Sequence, residues 1–148
     1  MIKLETEIDI HATPQQTWAV LTDFASYGAW NPFITRIEGP LQVGGTLTVV
    51  LHQKGSKPMT IKPQLQVVEL HQRLGWLGRL LVPGLADGAH WFELEDLGPG
   101  RVRFRHYEHF SGVLAPFLRG MLQIKTRPAF EAMNRALKDR VEAMNGGS

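Results

Sequence analysis

Residues 87 to 112, DGAHWFELEDLGPGRVRFRHYEHFSG, alternate so regularly in polarity that they specify one long antiparallel hairpin. Period-two spacing places Val102, Phe104, His106, Glu108 and Phe110 on one side of its second strand, and Arg101, Arg103, Arg105, Tyr107 and His109 on the other. The first side suits a core, yet it carries a histidine and a glutamate. In the first strand His90, Phe92 and Leu94 share a face. A Gly/Pro loop over Leu97 to Arg101 then pairs Leu94 with Phe104, Phe92 with His106, and His90 with Glu108. An unpaired buried carboxylate is costly, so a face of this kind implies a partnered charge. The hairpin predicts a cavity with a polar foot rather than a sealed apolar core.

The rest of the chain supplies what such a hairpin packs against. Ile2, Leu4, Thr6, Ile8 and Ile10 alternate with Lys3, Glu5, Glu7 and Asp9, the pattern of a strand with one wet and one dry face. Thr13 followed by Pro14 is a helix start, hydroxyl cap then proline, with Trp18, Leu21 and Phe24 at helical spacing. Asp23 is placed to cap a second short helix through Tyr27, which the turn Trp30, Asn31, Pro32, Phe33 breaks. A meander follows: a strand from Ile34 to Glu38, glycine and proline signals from Gly39 to Gly45, then strands over Thr46 to His52, Met59 to Leu70 and Arg73 to Arg79. Leu80 to Gly88 reads as an apolar loop. Val113 to Met144 reads as a long helix with an apolar stripe at Leu114, Phe117, Leu118, Met121 and Ile124, continuing through Phe130, Met133, Leu137, Val141 and Met144. Pro128 inside it predicts a kink or break near Lys125 to Arg127. Residues 1 to 145 are expected to form a single domain, with 146 to 148 a flexible tail or cloning remnant.

Composition narrows the function. The 148 residues include no cysteine, which removes disulfides, thiolate nucleophiles and zinc ribbons together. The net charge of +2 comes from near balance of the two signs, with no Lys/Arg run beyond two residues, so no nucleic-acid partner is expected. No apolar run is long enough for an integral membrane segment, and the charged N-terminal stretch does not read as a signal peptide. A cytoplasmic monomer or homodimer is the expectation. Serine-hydrolase, P-loop and dinucleotide-binding motifs are absent from the sequence, and no cofactor is expected.

Each polar candidate has a functional and a bland reading. His90 and Glu108 form either an acid/base or ligand-anchoring pair, or a structural tie between strands. His106, one pleat from Glu108, either extends the pair into a triad or is a core histidine satisfied by water. Two histidines and a carboxylate also match a facial metal triad, but the spacing is weak and no metal is expected. His52 is placed at the surface. The aromatics Trp30, Phe33, Trp76, Phe92, Phe104, Phe110 and Phe117 either line a pocket or pack a core. The Arg101, Arg103, Arg105 stripe either steers an anionic ligand or a membrane surface, or is a solvated face with Glu93 and Glu95 available as partners, the reading expected here.

The order of elements, the turn YGAWNPFI, the strand GAHWFELE, the strand end YEHFSG and the long methionine-containing terminal helix together resemble the START-like, helix-grip superfamily known as SRPBCC. Within it, the chain looks like the small polyketide cyclase/dehydrase-like proteins. The resemblance implies an α+β fold, a curved antiparallel sheet of about seven strands around a long C-terminal helix, with two short helices after the first strand. It also implies a deep, mainly apolar cavity, with the turn after Lys54 and the loop Leu80 to Gly88 as its mouth. Trp30, Asn31, Pro32, Phe33, His90 and Glu108 match residues that recur in the subgroup.

The expectation is binding of an apolar or aromatic small molecule, such as a lipid or a polyketide-like compound. Its site is expected to comprise Trp30, Phe33, Trp76, Leu81, Leu85, His90, Phe92, Phe104, His106, Glu108, Phe110, Phe117 and Met121. One alternative is a cyclase, dehydratase or isomerase with His90, Glu108 and His106 as catalytic residues, Glu108 orienting His90 and His90 moving a proton. Another is a membrane-associated or protein-interaction module docking through Leu80 to Gly88.

Overall fold

The hairpin at the centre of the sequence is also the centre of the fold. In the computed structural model, which describes residues 2–80, 84 and 86–146, it forms β7 (Ala86–Asp96) and β8 (Val102–Ser111). Their register sets His90 opposite Glu108, Phe92 opposite His106 and Leu94 opposite Phe104, the pairing that the five-residue loop dictates. That loop is closed by the Leu97 amide donating to the Arg101 carbonyl.

β1 (Ile2–Ile10) pairs with the free edge of β8 and places Thr6 opposite His106. With β5 (Gln64–Glu69) and β6 (Arg73–Leu80), these strands make a five-stranded antiparallel sheet in the order β1-β8-β7-β6-β5. β2 (Ile34–Glu38), β3 (Thr48–Leu51) and β4 (Met59–Ile61) form a second sheet of three. The two are stitched where Thr46 bridges Gln64 and the Leu47 amide donates to the Pro63 carbonyl. Eight strands thus stand among the described residues where about seven were expected. The expected single strand from Met59 to Leu70 is two strands in different sheets, separated at Pro63, which has no N–H to donate to a ladder.

α1 (Pro14–Leu21) starts as its sequence predicts: Thr13 accepts from the Gln16 amide and the Gln16 side chain accepts from the Thr13 amide, a capping box. After a 3-10 turn at Phe24–Ser26, α2 (Tyr27–Trp30) ends at Asn31, and Asp23 makes no side-chain capping bond. Asn31 Oδ1 instead accepts from the Phe33 and Ile34 amides, both at 2.9 Å. This Asx turn fixes the path through Pro32 and turns Phe33 into the core.

The expected continuous helix from Val113 to Met144 is segmented. A 3-10 turn (Ala115–Leu118) gives way to α3 (Arg119–Met121), a π-helical turn (Leu122–Thr126) and then α4 (Arg127–Gly146). α4 lies across the concave face of the large sheet and buries Phe130, Met133, Asn134, Leu137 and Val141. Before it, three- and five-residue hydrogen-bond spacings shift the periodicity, so the predicted apolar stripe does not stay on one side. Leu122 is buried, whereas Phe117 and Ile124 face solvent.

On the outer face, the arginine stripe pairs with Glu95 and with Glu7 and Asp9 of β1, while the expected partner Glu93 bonds Tyr107 instead. Arg103 binds Asp9 at 2.8 Å, Arg105 binds Glu95 at 3.2 Å, and Glu93 accepts from the Tyr107 hydroxyl. Burial, first, and that bond to Glu93 push the Tyr107 hydroxyl up to about 12.

Candidate functional site

Five polar side chains that the sequence scatters over 129 positions converge between sheet and helix, and they read in one direction. The Thr6 hydroxyl donates to the His106 carbonyl at 2.7 Å, so its oxygen is left to accept from Asn134 Nδ2 at 2.9 Å. That orients the amide of Asn134 with Oδ1 toward His106 Nδ1, 2.9 Å away. An amide oxygen only accepts, so His106 Nδ1 carries the proton. Burial, with His90 adding to it, holds His106 well below the ordinary imidazole range, so His106 is neutral and its Nε2 is a bare acceptor.

The rest of the chain follows from that one assignment. His90 Nε2 lies 2.8 Å from His106 Nε2 and must donate to it. On the other side of the ring, His90 Nδ1 lies 2.7 Å from Glu108 Oε1. A carboxylate and an unprotonated nitrogen cannot face each other at this distance. One proton therefore sits between them, as imidazolium with carboxylate or as imidazole with carboxylic acid.

Aromatic packing holds both rings in place. His106 stacks on Phe130 with centroids 3.9 Å apart, and His90 stacks on Trp76 at 4.9 Å with Phe92 and Phe130 edge-on. His90 is 4% exposed and His106 fully buried. Glu108 is the member that reaches outward. Together with Phe33, Phe110, Met59, Met121, Leu118 and Leu122 it borders a cavity of about 120 Å³ with mostly apolar walls. Gly88 makes room for it, because a Cβ at that position would overlap Glu108 Oε2.

The expected site residues therefore divide. Phe33, Glu108, Phe110 and Met121 border the cavity. Trp76, His90, Phe92, Phe104 and His106 form the packed layer behind it, and Trp30 packs against the core from the α2 turn. Phe117 points to solvent at 83% exposure, and His52 is exposed. Leu81 and Leu85 lie outside the described residues, as does much of the expected loop from Leu80 to Gly88, whose two ends belong to β6 and β7.

Sequence reasoning missed Thr6 and Asn134 in the polar chain, and Gln53, Asp87 and Thr126 at the cavity, where Gln53 Nε2 donates to Thr126 Oγ1 at 3.1 Å. Asn134 left one signal: it is the polar residue within the apolar stripe of α4. Thr6 left another, as the single hydroxyl among the aliphatic positions of β1. Among the described residues, no group of three or more His, Asp and Glu side chains is arranged to hold a metal ion. A larger hollow of about 630 Å³ is an open, charged groove lined by Lys3, Glu5, Arg105, Tyr107 and, from α4, Arg127 and Glu131; of the polar chain only Thr6 borders it.

Two consequences are measurable. Asn134→Leu removes the side-chain acceptor of the His106 Nδ1 proton and the donor to Thr6, and should lower stability by about 1–3 kcal/mol in urea unfolding. His106 sets a pH dependence. Its native form binds a proton far less readily than the unfolded chain, where the imidazole titrates near 6.5. The unfolded state therefore takes up the extra proton as pH falls, and stability declines below that pH by up to about 1.4 kcal/mol per unit. Unfolding measured from pH 7.5 to 5 should show this slope in the wild type and a shallower one in His106→Gln.

Residues 1–142 match the family described as polyketide cyclase / dehydrase and lipid transport. No curated protein sequence matches the chain significantly. Among solved structures, the fold is similar to the Zhui aromatase/cyclase from Streptomyces sp. R1128, with a TM-score of 0.77 at 14% identity over 95% of this chain and 93% of that one. It is similar also to norcoclaurine synthase from Thalictrum flavum, with a TM-score of 0.74 at 14% identity over 97% and 96% of the two chains. A START superfamily protein from Mycobacterium smegmatis matches with a TM-score of 0.74 at 15% identity over 96% and 98%. At these identities the likeness is one of fold.

Proposed function

From the premise that the chain belongs to the polyketide cyclase/dehydrase and lipid transport family, we propose that it binds a small, mainly apolar molecule carrying a hydroxyl or phenol group, with Glu108 receiving that group at the foot of the cavity. The observation that carries this reading is the position of Glu108. It is a carboxyl group among apolar walls, with one oxygen committed to His90 and the other next to the Gly88 backbone. A buried carboxylate with a spare lone pair selects a donor, and an O–H on an otherwise apolar ligand is the donor such walls admit.

At about 120 Å³ the cavity is somewhat smaller than the roughly 150 Å³ that holds a benzene, so a single ring is the most it takes without side-chain movement. Met59 and Met121, both about half exposed at its edge, are unbranched and can swing aside for a longer molecule.

A second reading, that the site catalyses a proton transfer as a cyclase, dehydratase or isomerase does, is favoured by the single proton shared between His90 and Glu108. In that reading Glu108 exchanges the proton with the bound molecule, and His90 stores it behind. The roles are the reverse of those expected from the sequence, because Glu108 borders the cavity and His90 does not.

The test is a titration of phenols and hydroxylated polycyclic compounds, each beside its dehydroxy analogue, into the wild type and into Leu118→Trp, which fills the cavity from its α3 side. Saturable binding that prefers the hydroxylated member and is lost in Leu118→Trp supports the reading. Equal binding by both proteins would remove the cavity from the account.

A further inference from the structure

The segment that closes the cavity carries its large apolar side chains outward. Val113, Phe117 and Ile124 are 73%, 83% and 75% exposed, all within one run of twelve residues. Isolated exposed apolar side chains are ordinary, but a cluster at one place marks a surface that meets something. Between them in the sequence, Ala115, Leu118, Met121 and Leu122 border the same cavity, opposite Met59.

Asp87 and Glu108 border the cavity itself, but the stretch that carries the cluster and the turn beside it hold charges of one sign. The sequence contains no Asp or Glu between Glu38 and Glu69, nor between Glu108 and Glu131. Within those stretches Lys54, Lys57, Arg119 and Lys125 are exposed, and among the described residues none of them has an acidic partner. Lys125 Nζ reaches Ser56 Oγ at 3.5 Å, which brings the two basic stretches together beside the cavity. Ile124 and Lys125 also share a groove with Lys54 and Gly55.

We propose that Val113–Lys125, with the Lys54–Lys57 turn beside it, docks the cavity mouth onto an anionic lipid surface. The apolar tips enter the boundary between headgroups and acyl chains, while the cations meet lipid phosphates. Charge decides against a second copy as the occupant, because two such faces would bring like charges together. Side chains this exposed project singly and suit a fluid acceptor better than a partner that must offer a pocket for each. The docking stands apart from what the cavity holds.

The experiment is flotation of the full chain with phosphatidylcholine vesicles, with and without phosphatidylglycerol, at low and high salt. Association with the phosphatidylglycerol vesicles alone, weakened by salt, is the expected result. Phe117→Ser combined with Ile124→Ser should reduce it about tenfold or more. Lys54→Gln and Lys125→Gln should each reduce it roughly fivefold. All four positions are exposed, so melting temperature and ligand titration should match the wild type. No flotation, equal flotation with neutral vesicles, or flotation indifferent to these changes would overturn the proposal. Lipid-free dimerisation abolished by Phe117→Ser would assign the patch to a second copy and overturn it too.

Discussion

Glu108→Gln is expected to keep the fold and lose the recognition. The glutamine amide nitrogen can donate to His90 Nδ1 while His90 Nε2 still donates to His106, so every member of the buried chain stays satisfied without the shared proton. Stability should then stay within about 1 kcal/mol of the wild type. What disappears is the carboxylate proposed to receive the ligand's hydroxyl. A hydrogen bond to a charged group contributes about 1.5–3 kcal/mol, so affinity for a hydroxylated ligand should fall roughly ten- to a hundredfold. Affinity for its dehydroxy analogue should not change. If the bound molecule is also transformed, turnover should fall by about 10²- to 10⁴-fold, the usual contribution of a positioned acid or base. Paired titrations and turnover on the two proteins separate a carrier from an enzyme: loss of affinity alone marks the first, loss of turnover with affinity for the dehydroxy analogue retained marks the second.

Phe130→Ala should be the most damaging single change in the core, lowering stability by about 3–5 kcal/mol in chemical unfolding. Phe130 has no exposed surface and contacts Phe33, His90 and His106 with its ring. Its loss leaves a void and also removes the apolar cover that keeps His106 neutral. Part of the predicted pH slope should therefore vanish in this variant as water reaches the imidazole. A change of less than about 1 kcal/mol would mean that the helix does not seal the histidine pair.

Gly88→Ala provides a milder test of the same geometry. The new methyl overlaps the flexible end of Glu108 rather than backbone, so the fold survives while the carboxylate is pushed off His90. Ligand affinity should drop although the residue chemistry is intact.

The hairpin was legible because strand periodicity is two and its loop is short: these fix which residues face inward and which pair, and so bring His90 and Glu108 together before any tertiary contact is known. The same logic could not reach Asn134. Its place depends on how α4 is rotated against β1, a matter of packing between segments far apart in sequence. Nor could it place Phe117 and Ile124, because a helical stripe assumes 3.6 residues per turn and this stretch passes through 3-10 and π geometry. That Glu108 borders the cavity while His90 lies behind it was illegible for a related reason. Strand alternation tells which side chains share a face, but not which of them lies under the helix and which lies at the open end.

At the centre of the proposed function is a polarised chain from Thr6 to Glu108 in which one proton is shared between His90 and Glu108 and the other Glu108 oxygen accepts from a ligand at the cavity foot. Long-range proton–nitrogen NMR of the histidine rings, with carbon detection of the Glu108 carboxyl, reads it directly. His106 should appear neutral with its proton on Nδ1, His90 should carry a proton on Nε2, and a hydroxylated ligand should shift Glu108 Cδ and His90 Nδ1 while leaving His106 unchanged. A proton on His106 Nε2, or ligand binding that leaves the Glu108 carboxyl untouched, would contradict it.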